Sequence, residues 1–219
     1  MSLDLFPAAV SVTTAAIEDG ARLHPDEELF AAEMGPARRR EFAAGRDCAR
    51  RAMRELGLPG GPVLRGARRM PLWPDGVVGS LTHSDGFCAA AVARSSDLAG
   101  LGIDAEREAP LSERALARIC SPREIDALRA LPARSPALWG AIVFSAKESL
   151  YKGYFPLTGV FIGFRDAEIT LHPDAEDAGR FDARLVRDDA PDAAGQRHFA
   201  GRFRSDERRI LTGLVIERY

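Results

Sequence analysis

Apolar and polar positions along the chain follow two different periods, and together they predict a mixture of strands and helices. Helical periodicity predicts a short acidic helix at 25–32 and a long helix from Pro36 to Gly57. Short apolar or β-branched runs between turn residues predict strands, which we place at residues 8–17, 77–82, 87–93, 98–103, 159–171, 180–186, 198–204 and 209–217.

Two later helices have clear start signals. Ser121-Pro122-Arg123-Glu124 forms a capping box with proline at the first helical position. Ser135-Pro136 opens another helix, which we expect to end at Gly153 and Pro156 because both residues disfavour a helix interior.

The order of these elements predicts an α+β fold. Strands and a basic helix precede residue 103, and helices followed by strands come after it. This order suggests two α+β halves, residues 1–103 and 104–219, that meet near the middle of the chain. No convincing sequence repeat relates the two halves.

Composition narrows the class of protein. The 219 residues are 46% hydrophobic and 28% charged with a net charge of −2, which is ordinary for a soluble globular protein and gives no general case for nucleic-acid binding. The cysteines are odd in number and lack zinc-site spacing, so we expect free thiols and a cytoplasmic location. We predict no membrane span and no signal peptide.

The strongest candidate chemistry lies where the apolar run 98–103 ends in charge. Asp104 and Glu106 follow that run, and side chains two positions apart on a strand share a face, so both carboxylates point the same way. About 40 residues later, Glu148 and Lys152 are one helical turn apart and project from the same side.

Three carboxylates arranged in this way suit Mg²⁺, which prefers oxygen ligands and commonly takes substrate phosphate oxygens as well. Lys152 beside them is a natural phosphate contact. The alternative is a solvated acid pair at a strand end and a surface Glu-Lys pair on a helix, and spacing alone favours that alternative.

The long basic helix offers a candidate anion site. At about 100° per residue, Arg39, Arg46 and Arg50 fall within about 40° of arc. Arginine suits bidentate contacts to phosphate, although periodicity alone favours a solvated basic face beside an apolar one.

A turn displays a further pair of polar residues. Thr82 ends a predicted strand, His83 follows it, and Asp85-Gly86 predicts a hairpin turn. Functional groups are often displayed at such junctions, although a single histidine in a turn is usually only solvated.

The segments 102–106 and 144–152 carry a resemblance to a known family. They read Gly-Ile-Asp-Ala-Glu and Phe-Ser-Ala-Lys-Glu-Ser-Leu-Tyr-Lys. These segments resemble the paired signature of the 4′-phosphopantetheinyl transferases, which is Gly-(Ile/Val)-Asp-x-Glu followed by (Phe/Trp)-(Ser/Cys/Thr)-x-Lys-Glu-(Ser/Ala)-x-x-Lys. The Thr82-His83 segment and the basic helix also resemble family patterns, and the resemblance extends from about Arg39 to about Leu171.

The resemblance implies a pseudo-symmetric monomer of two similar α+β subdomains, of the larger subgroup that activates siderophore and peptide synthetases. It implies Mg²⁺-dependent transfer of 4′-phosphopantetheine from coenzyme A to a serine of an acyl or peptidyl carrier protein, with release of adenosine 3′,5′-bisphosphate. Which carrier protein or secondary-metabolic pathway is served stays open.

The resemblance also implies roles for single residues. Asp104, Glu106 and Glu148 would bind Mg²⁺, and Lys152 would stabilise the leaving phosphate. Asp104, Glu148 and Lys152 would be catalytic, with either Glu148 or a metal-bound water as the base. The expected coenzyme A contacts are Arg39, Arg46, Arg50, Thr82, His83, Lys147 and Lys152.

Two alternatives use the same residues differently. A module that binds coenzyme A or a nucleotide without catalysis would not need every carboxylate, and none is missing here. A metal-dependent phosphohydrolase or nuclease explains the acids but leaves the arginine row and the Thr82-His83 turn without a combined purpose.

Overall fold

The computed structural model describes residues 4–218 and confirms an α+β fold with a sheet in each half. In the first half, the elements are β1 Ser11–Ala16, α1 Pro25–Ala31, α2 Pro36–Glu55, β2 Leu64–Arg65, β3 Pro71–Leu72, β4 Val77–Ser84 and β5 Phe87–Arg94. In the second half, they are β6 Leu98–Arg107, α3 Glu113–Ile119, α4 Pro122–Arg129, α5 Pro136–Thr158, β7 Ala167–Pro173, β8 Ala178–Leu185, β9 His198–Ser205 and β10 Arg209–Glu217.

The first sheet has the antiparallel order β1-β5-β4, and α2 packs across it. The hairpin between β4 and β5 turns at Asp85 and Gly86, whose φ angles of 48° and 75° both lie in the left-handed region. A two-residue turn of that kind matches the right-handed twist of the flanking strands, which is why an Asp-Gly pair predicts it.

The second sheet has the antiparallel order β6-β10-β9-β8-β7, with α5 against one face. Trp139 and Tyr154 of α5 are fully buried against Phe181 and Phe203 of the sheet. Aromatic side chains contribute the most apolar area per residue, so this cluster holds α5 in place.

The two sheets meet where β4 lies beside β6. The Ser80 hydroxyl accepts a hydrogen bond from the Ile103 amide at 3.1 Å, and the Thr82 hydroxyl accepts one from the Ala105 amide at 3.0 Å. The predicted division between residues 103 and 104 falls inside β6, which pairs with β10 along its length.

Close backbone contact fixes where α5 crosses β6. A Cβ atom on Gly102 would lie 1.8 Å from the Ser149 carbonyl oxygen, so only glycine fits there. The predicted helix end at Gly153 and Pro156 is wrong, because Gly153 is a second contact point and α5 runs on to Thr158.

Two further expectations need correction. Residues 160–166 are not part of a strand, and β7 begins only at Ala167. Helix α3 was not predicted, although Ser112 caps it by accepting a hydrogen bond from the Ala115 amide. No helix among residues 4–218 is long and apolar enough to cross a bilayer.

Candidate active site

A cleft of about 380 Å³ opens where β4, β6 and α5 converge. Acidic side chains line one wall and basic side chains line the other. The acidic wall comprises Asp104, Glu106 and Glu148, together with Lys152. The basic wall comprises Arg38, Arg46, Arg68, Arg69 and His83.

Asp104 is the most constrained carboxylate in the cleft, being only 3% exposed. The Lys152 ammonium group donates to its Oδ1 atom at 2.6 Å, and the Ser145 hydroxyl donates to its Oδ2 atom at 2.8 Å. Thr82 also approaches Oδ1, at 3.4 Å. The orientation of this carboxylate is therefore fixed from both sides.

Glu106 and Glu148 are half-buried beside Asp104. Burial raises the pKa of Glu106 to about 7, and repulsion from Asp104 adds to that shift. Burial also raises the pKa of Glu148, again with a contribution from Asp104, whereas Lys152 opposes both shifts. Three carboxylates thus share a single ammonium group, which leaves the acidic wall with an excess of negative charge.

This wall suits a divalent cation by its chemistry. Within residues 4–218, no group of three or more His, Cys, Asp or Glu side chains is already gathered closely enough to hold a metal ion. The donors are nevertheless all oxygen, as Mg²⁺ requires. A carboxylate oxygen has two lone pairs, and Oδ2 of Asp104 accepts only from Ser145, so it keeps capacity for a cation. Cation binding would also relieve the repulsion that raises the pKa of Glu106 and Glu148.

His83 lies on the basic wall in contact with an arginine that sequence reasoning missed. The Nε2 atom of His83 is 2.7 Å from the Arg38 guanidinium group. Burial lowers the pKa of His83, and the positive charge of Arg38 lowers it further. The ring is therefore neutral near pH 7, and Nε2 accepts the proton of Arg38.

The arginine row of α2 divides between the cleft and ion pairs with α1. Arg46 lines the cleft, and its guanidinium group lies 4.0 Å from the centre of the Phe42 ring. Burial lowers the pKa of Arg46 to about 10.

The other two predicted arginines do not line the cleft, so their assignment as coenzyme A contacts stays a prediction that the structure does not favour. Arg39 pairs with Glu28 at 2.6 Å, and Arg50 pairs with the fully buried Glu27 at 2.6 Å. Both partners come from α1, so the row faces a neighbouring helix that its periodicity alone does not reveal.

Two further predicted contacts have structural roles. The Lys147 side chain is 3% exposed, and its ammonium group donates to Glu124 and to two backbone carbonyls at 2.7–2.9 Å, so all three of its donors are used. The assignment of Lys147 as a coenzyme A contact stays a prediction, and its ammonium donors are all used within the protein. Thr82 borders the cleft, but its hydroxyl is already bonded to Ala105 and approaches Asp104.

Arg68 and Arg69 are functional candidates that sequence reasoning did not single out. They line the cleft from the segment between β2 and β3, with φ angles of 50° and 66°. The sequence from Arg38 to Arg69 is markedly basic, and this was the one feature that pointed to them. Because the segment is irregular, periodicity could not predict the direction of their side chains.

Comparison with known proteins agrees with this cleft. A model of the 4′-phosphopantetheinyl transferase N-terminal domain matches residues 26–93, and one of the 4′-phosphopantetheinyl transferase superfamily matches residues 100–205. The chain belongs to the 4′-phosphopantetheinyl transferase superfamily. The two matched ranges contain both walls of the cleft and make this protein an enzyme of that class.

Named relatives support the same membership. The 4′-phosphopantetheinyl transferase Svp of Streptomyces mobaraensis is 46% identical over 89% of this chain and 78% of its own length. The 4′-phosphopantetheinyl transferase PptT of Mycobacterium tuberculosis is 39% identical over 88% of this chain and 85% of its own. Enterobactin synthase component D of Salmonella typhi is 35% identical over 62% of this chain and 56% of its own. The transferase is thus related to enzymes of siderophore and secondary metabolism.

Proposed function

We propose that this enzyme transfers 4′-phosphopantetheine from coenzyme A to a serine hydroxyl of an apo carrier protein, with Mg²⁺, and releases adenosine 3′,5′-bisphosphate. The observation that carries the proposal is the meeting of an acidic wall and a basic wall in one cleft. Coenzyme A carries a pyrophosphate and a 3′-phosphate. The transferred phosphorus is the one in the pyrophosphate that bears the pantetheine arm. A cleft for this reaction needs cations along the phosphates and a metal site at the reacting pyrophosphate.

The basic wall supplies the phosphate contacts. Arg38, Arg68 and Arg69 border the cleft, and guanidinium groups form the bidentate, charge-assisted hydrogen bonds that phosphates favour. Arg46 is already bonded to the Val63 carbonyl, so it contributes fixed positive charge at the floor. His83 beside Arg38 gains a proton more readily once an anion lies next to it.

The acidic wall supplies the groups that would act at the reacting phosphorus. Mg²⁺ held by Asp104, Glu106 and Glu148 would neutralise charge that builds on the pyrophosphate. Lys152 lies 2.6 Å from Asp104 and would stabilise the departing phosphate.

The proton of the attacking serine requires an acceptor. Glu148 is suited to that role because burial and Asp104 raise its pKa, which makes its carboxylate a stronger base than an exposed glutamate. A water molecule that takes the proton in place of Glu148 is the alternative, and the variants discussed below separate the two.

A second cavity offers space for the pantetheine arm. It measures about 430 Å³ and shares Glu148 and Tyr151 with the cleft. Phe161, Ile162 and Phe164 give it an apolar surface that suits an uncharged, flexible chain, and charged residues that include Lys147 and Arg165 also line it.

The proposal extends to the oligomeric state, the cellular location and the carrier proteins of this enzyme. We infer a monomeric cytoplasmic enzyme that acts on carrier proteins of siderophore or other secondary-metabolic synthetases, since its relatives include enterobactin synthase component D.

The test is incubation with coenzyme A, Mg²⁺ and a panel of apo carrier proteins, read by intact mass. We expect at least one carrier to gain one phosphopantetheine group, and excess EDTA to prevent the gain. No modification of any carrier would contradict the proposal. Hydrolysis of coenzyme A without a carrier would favour the phosphohydrolase alternative, and full activity in EDTA would remove the metal.

A further inference from the structure

A row of buried hydroxyl groups lies behind Asp104, on the side away from the cleft. Ser145 donates to the Oδ2 atom of Asp104 at 2.8 Å, and its oxygen is 2.9 Å from that of Thr212. The Thr212 hydroxyl is in turn 2.6 Å from that of Ser149. All three hydroxyl residues are fully buried, and none of them borders the cleft.

Three elements bring these side chains together. Thr212 lies directly opposite Asp104 in the β6–β10 ladder, and residues paired across strands project from the same face. Ser145 and Ser149 are four residues apart on α5, which places both hydroxyls on the helix side that faces the ladder. Thr212 lies beyond residue 205, where the superfamily match ends.

The charge of Asp104 sets the direction of the hydrogen bonds. An ionised carboxylate can only accept, so Ser145 gives its single proton to Asp104. Ser145 must then accept from Thr212, and Thr212 can accept from Ser149. The Ser145 and Thr212 protons therefore point towards Asp104, whereas Ser149 also donates to the Thr212 carbonyl oxygen at 3.1 Å.

Thr212 is the member of this row that holds Ser145 in place. A serine inside a helix otherwise tends to donate to the carbonyl of the residue four positions earlier, which here is Ala141. The proton that Ser145 receives from Thr212 keeps its oxygen directed at the ladder. Loss of the Thr212 hydroxyl would free Ser145 to rotate and would leave Oδ2 of Asp104 without a fixed donor.

We propose that Thr212 is a positioning residue that acts through Ser145 to fix the Asp104 carboxylate for Mg²⁺. The proposal rests on the metal role of Asp104 in the proposed function. Groups that hydrogen-bond to a metal-ligating side chain typically change metal affinity or activity by about 10–100-fold when they are removed. Thr212 does not line the cleft, and its hydroxyl reaches the acidic wall through Ser145, which donates to Asp104, with a second contact to Ser149 on α5.

The test compares Thr212→Val, which keeps the shape but loses the hydroxyl, with Thr212→Ser, which keeps the hydroxyl. Mg²⁺ affinity is measured by calorimetry on the folded enzyme with coenzyme A bound, and the Mg²⁺ dependence of transfer is measured separately. We expect Thr212→Val to weaken Mg²⁺ binding by about 10-fold or more. The affinity for coenzyme A alone should stay unchanged, and Thr212→Ser should return Mg²⁺ binding to near the wild-type level.

Thr13 provides a matched control for the loss of a buried hydroxyl. Thr13 lies on β1 of the first sheet and is 7% exposed. Its hydroxyl donates to the Cys48 carbonyl of α2 at 2.6 Å. Thr13→Val should lower the melting temperature without changing Mg²⁺ affinity.

Wild-type Mg²⁺ affinity in Thr212→Val, no recovery in Thr212→Ser, or an equal loss in Thr13→Val would each overturn the positioning role. A wild-type enzyme that modifies no carrier would overturn the proposed function instead, and the Mg²⁺ titrations would still decide the role of Thr212. A wild-type enzyme that binds no Mg²⁺ with coenzyme A bound would overturn both.

Discussion

The two walls of the cleft differ in how firmly their charged groups are held. Asp104 on the acidic wall is 3% exposed and bonded on both oxygens. On the basic wall, the side chains of Arg38 and His83 are 44% and 40% exposed and bonded chiefly to each other and to Glu41. Asp104 is thus fixed before any ligand arrives, whereas Arg38 and His83 can adjust to it; Arg46, which is 8% exposed, is the fixed member of the basic wall.

This difference matches the demands of the two tasks. Groups that stabilise charge at a reacting atom are effective when they are fixed in advance, because no reorganisation is then needed during the reaction. Long cationic side chains that bind phosphate tolerate movement, since each charge-assisted hydrogen bond forms over a range of geometries. Substitutions on the acidic wall should therefore reduce the rate of transfer, and those on the basic wall should reduce affinity.

The largest effect is expected at Asp104. We expect Asp104→Asn to reduce transfer by about 10³-fold or more, because the loss of one fixed charge-stabilising group alone typically costs about 10²–10³-fold. Asparagine keeps the shape of this buried site, so the melting temperature should show that the fold persists. Transfer at the wild-type rate would contradict the metal role of the acidic wall.

Glu148→Gln is expected to have the next largest effect. Glutamine keeps an oxygen for Mg²⁺ but is a poor proton acceptor, so transfer should fall by about 10²–10⁴-fold while Mg²⁺ and coenzyme A still bind. The measurement is single-turnover transfer across pH at saturating Mg²⁺ and coenzyme A. Near-normal transfer with the wild-type pH profile would place the base elsewhere, and abolished Mg²⁺ binding would show that the ligand role dominates.

Lys152→Ala is the companion to that experiment. It removes a positive charge from the acidic wall but no proton acceptor. Transfer should fall, whereas the acidic limb of the pH profile should keep its wild-type form. A loss of that limb in Lys152→Ala would show that the limb does not report Glu148.

On the basic wall, Arg38 and Arg39 form a matched pair of neighbours. Arg38→Ala should weaken coenzyme A binding by about 10–100-fold, since a hydrogen bond to a charged group is typically worth about 1.5–3 kcal/mol. Arg39 is as exposed but pairs with Glu28 outside the cleft, so Arg39→Ala should leave the affinity unchanged. Calorimetric titration with coenzyme A is the measurement, and equal losses in the two variants would contradict this division of α2.

The smallest expected effect concerns the proton of His83. Its pKa lies below the ordinary histidine value in the free enzyme, because of burial and Arg38, and a bound phosphate would raise it. Coenzyme A binding slightly below pH 6.5 should therefore take up protons, which calorimetry in buffers of different ionisation enthalpy detects. His83→Gln should reduce the uptake, and uptake equal to that of the wild type would trace it to another group, such as Glu106, whose pKa is about 7.

The sequence predicted the acidic wall better than the basic wall, for physical reasons. Asp104 and Glu106 lie on a strand, and Glu148 and Lys152 lie on a helix. In a regular helix or strand, the spacing of two residues determines whether their side chains point the same way. The sequence therefore predicted that these four side chains share one site, and all four line the cleft.

The basic wall depends on contacts that spacing does not contain. The position of α1 decides that Arg39 and Arg50 pair with its glutamates, and an irregular segment presents Arg68 and Arg69 to the cleft. Lys147 shows the same limit on a regular helix, since its neighbour Glu148 faces the cleft while Lys147 turns to Glu124. The sequence shows that these arginines and Lys147 are positively charged, but it does not show which groups they contact.

The contact between Gly102 and Ser149 has a consequence for how this enzyme tolerates change. The spacing between α5 and β6 is limited by main-chain atoms in direct contact, where a single Cβ atom would lie 1.8 Å from a carbonyl oxygen. The separation of Glu148 on α5 from Asp104 on β6 therefore depends directly on the absence of a side chain at position 102. We expect any residue larger than glycine at position 102 to push α5 away from β6. Such a substitution would increase the distance between the Glu148 and Asp104 carboxylates before it unfolded the protein.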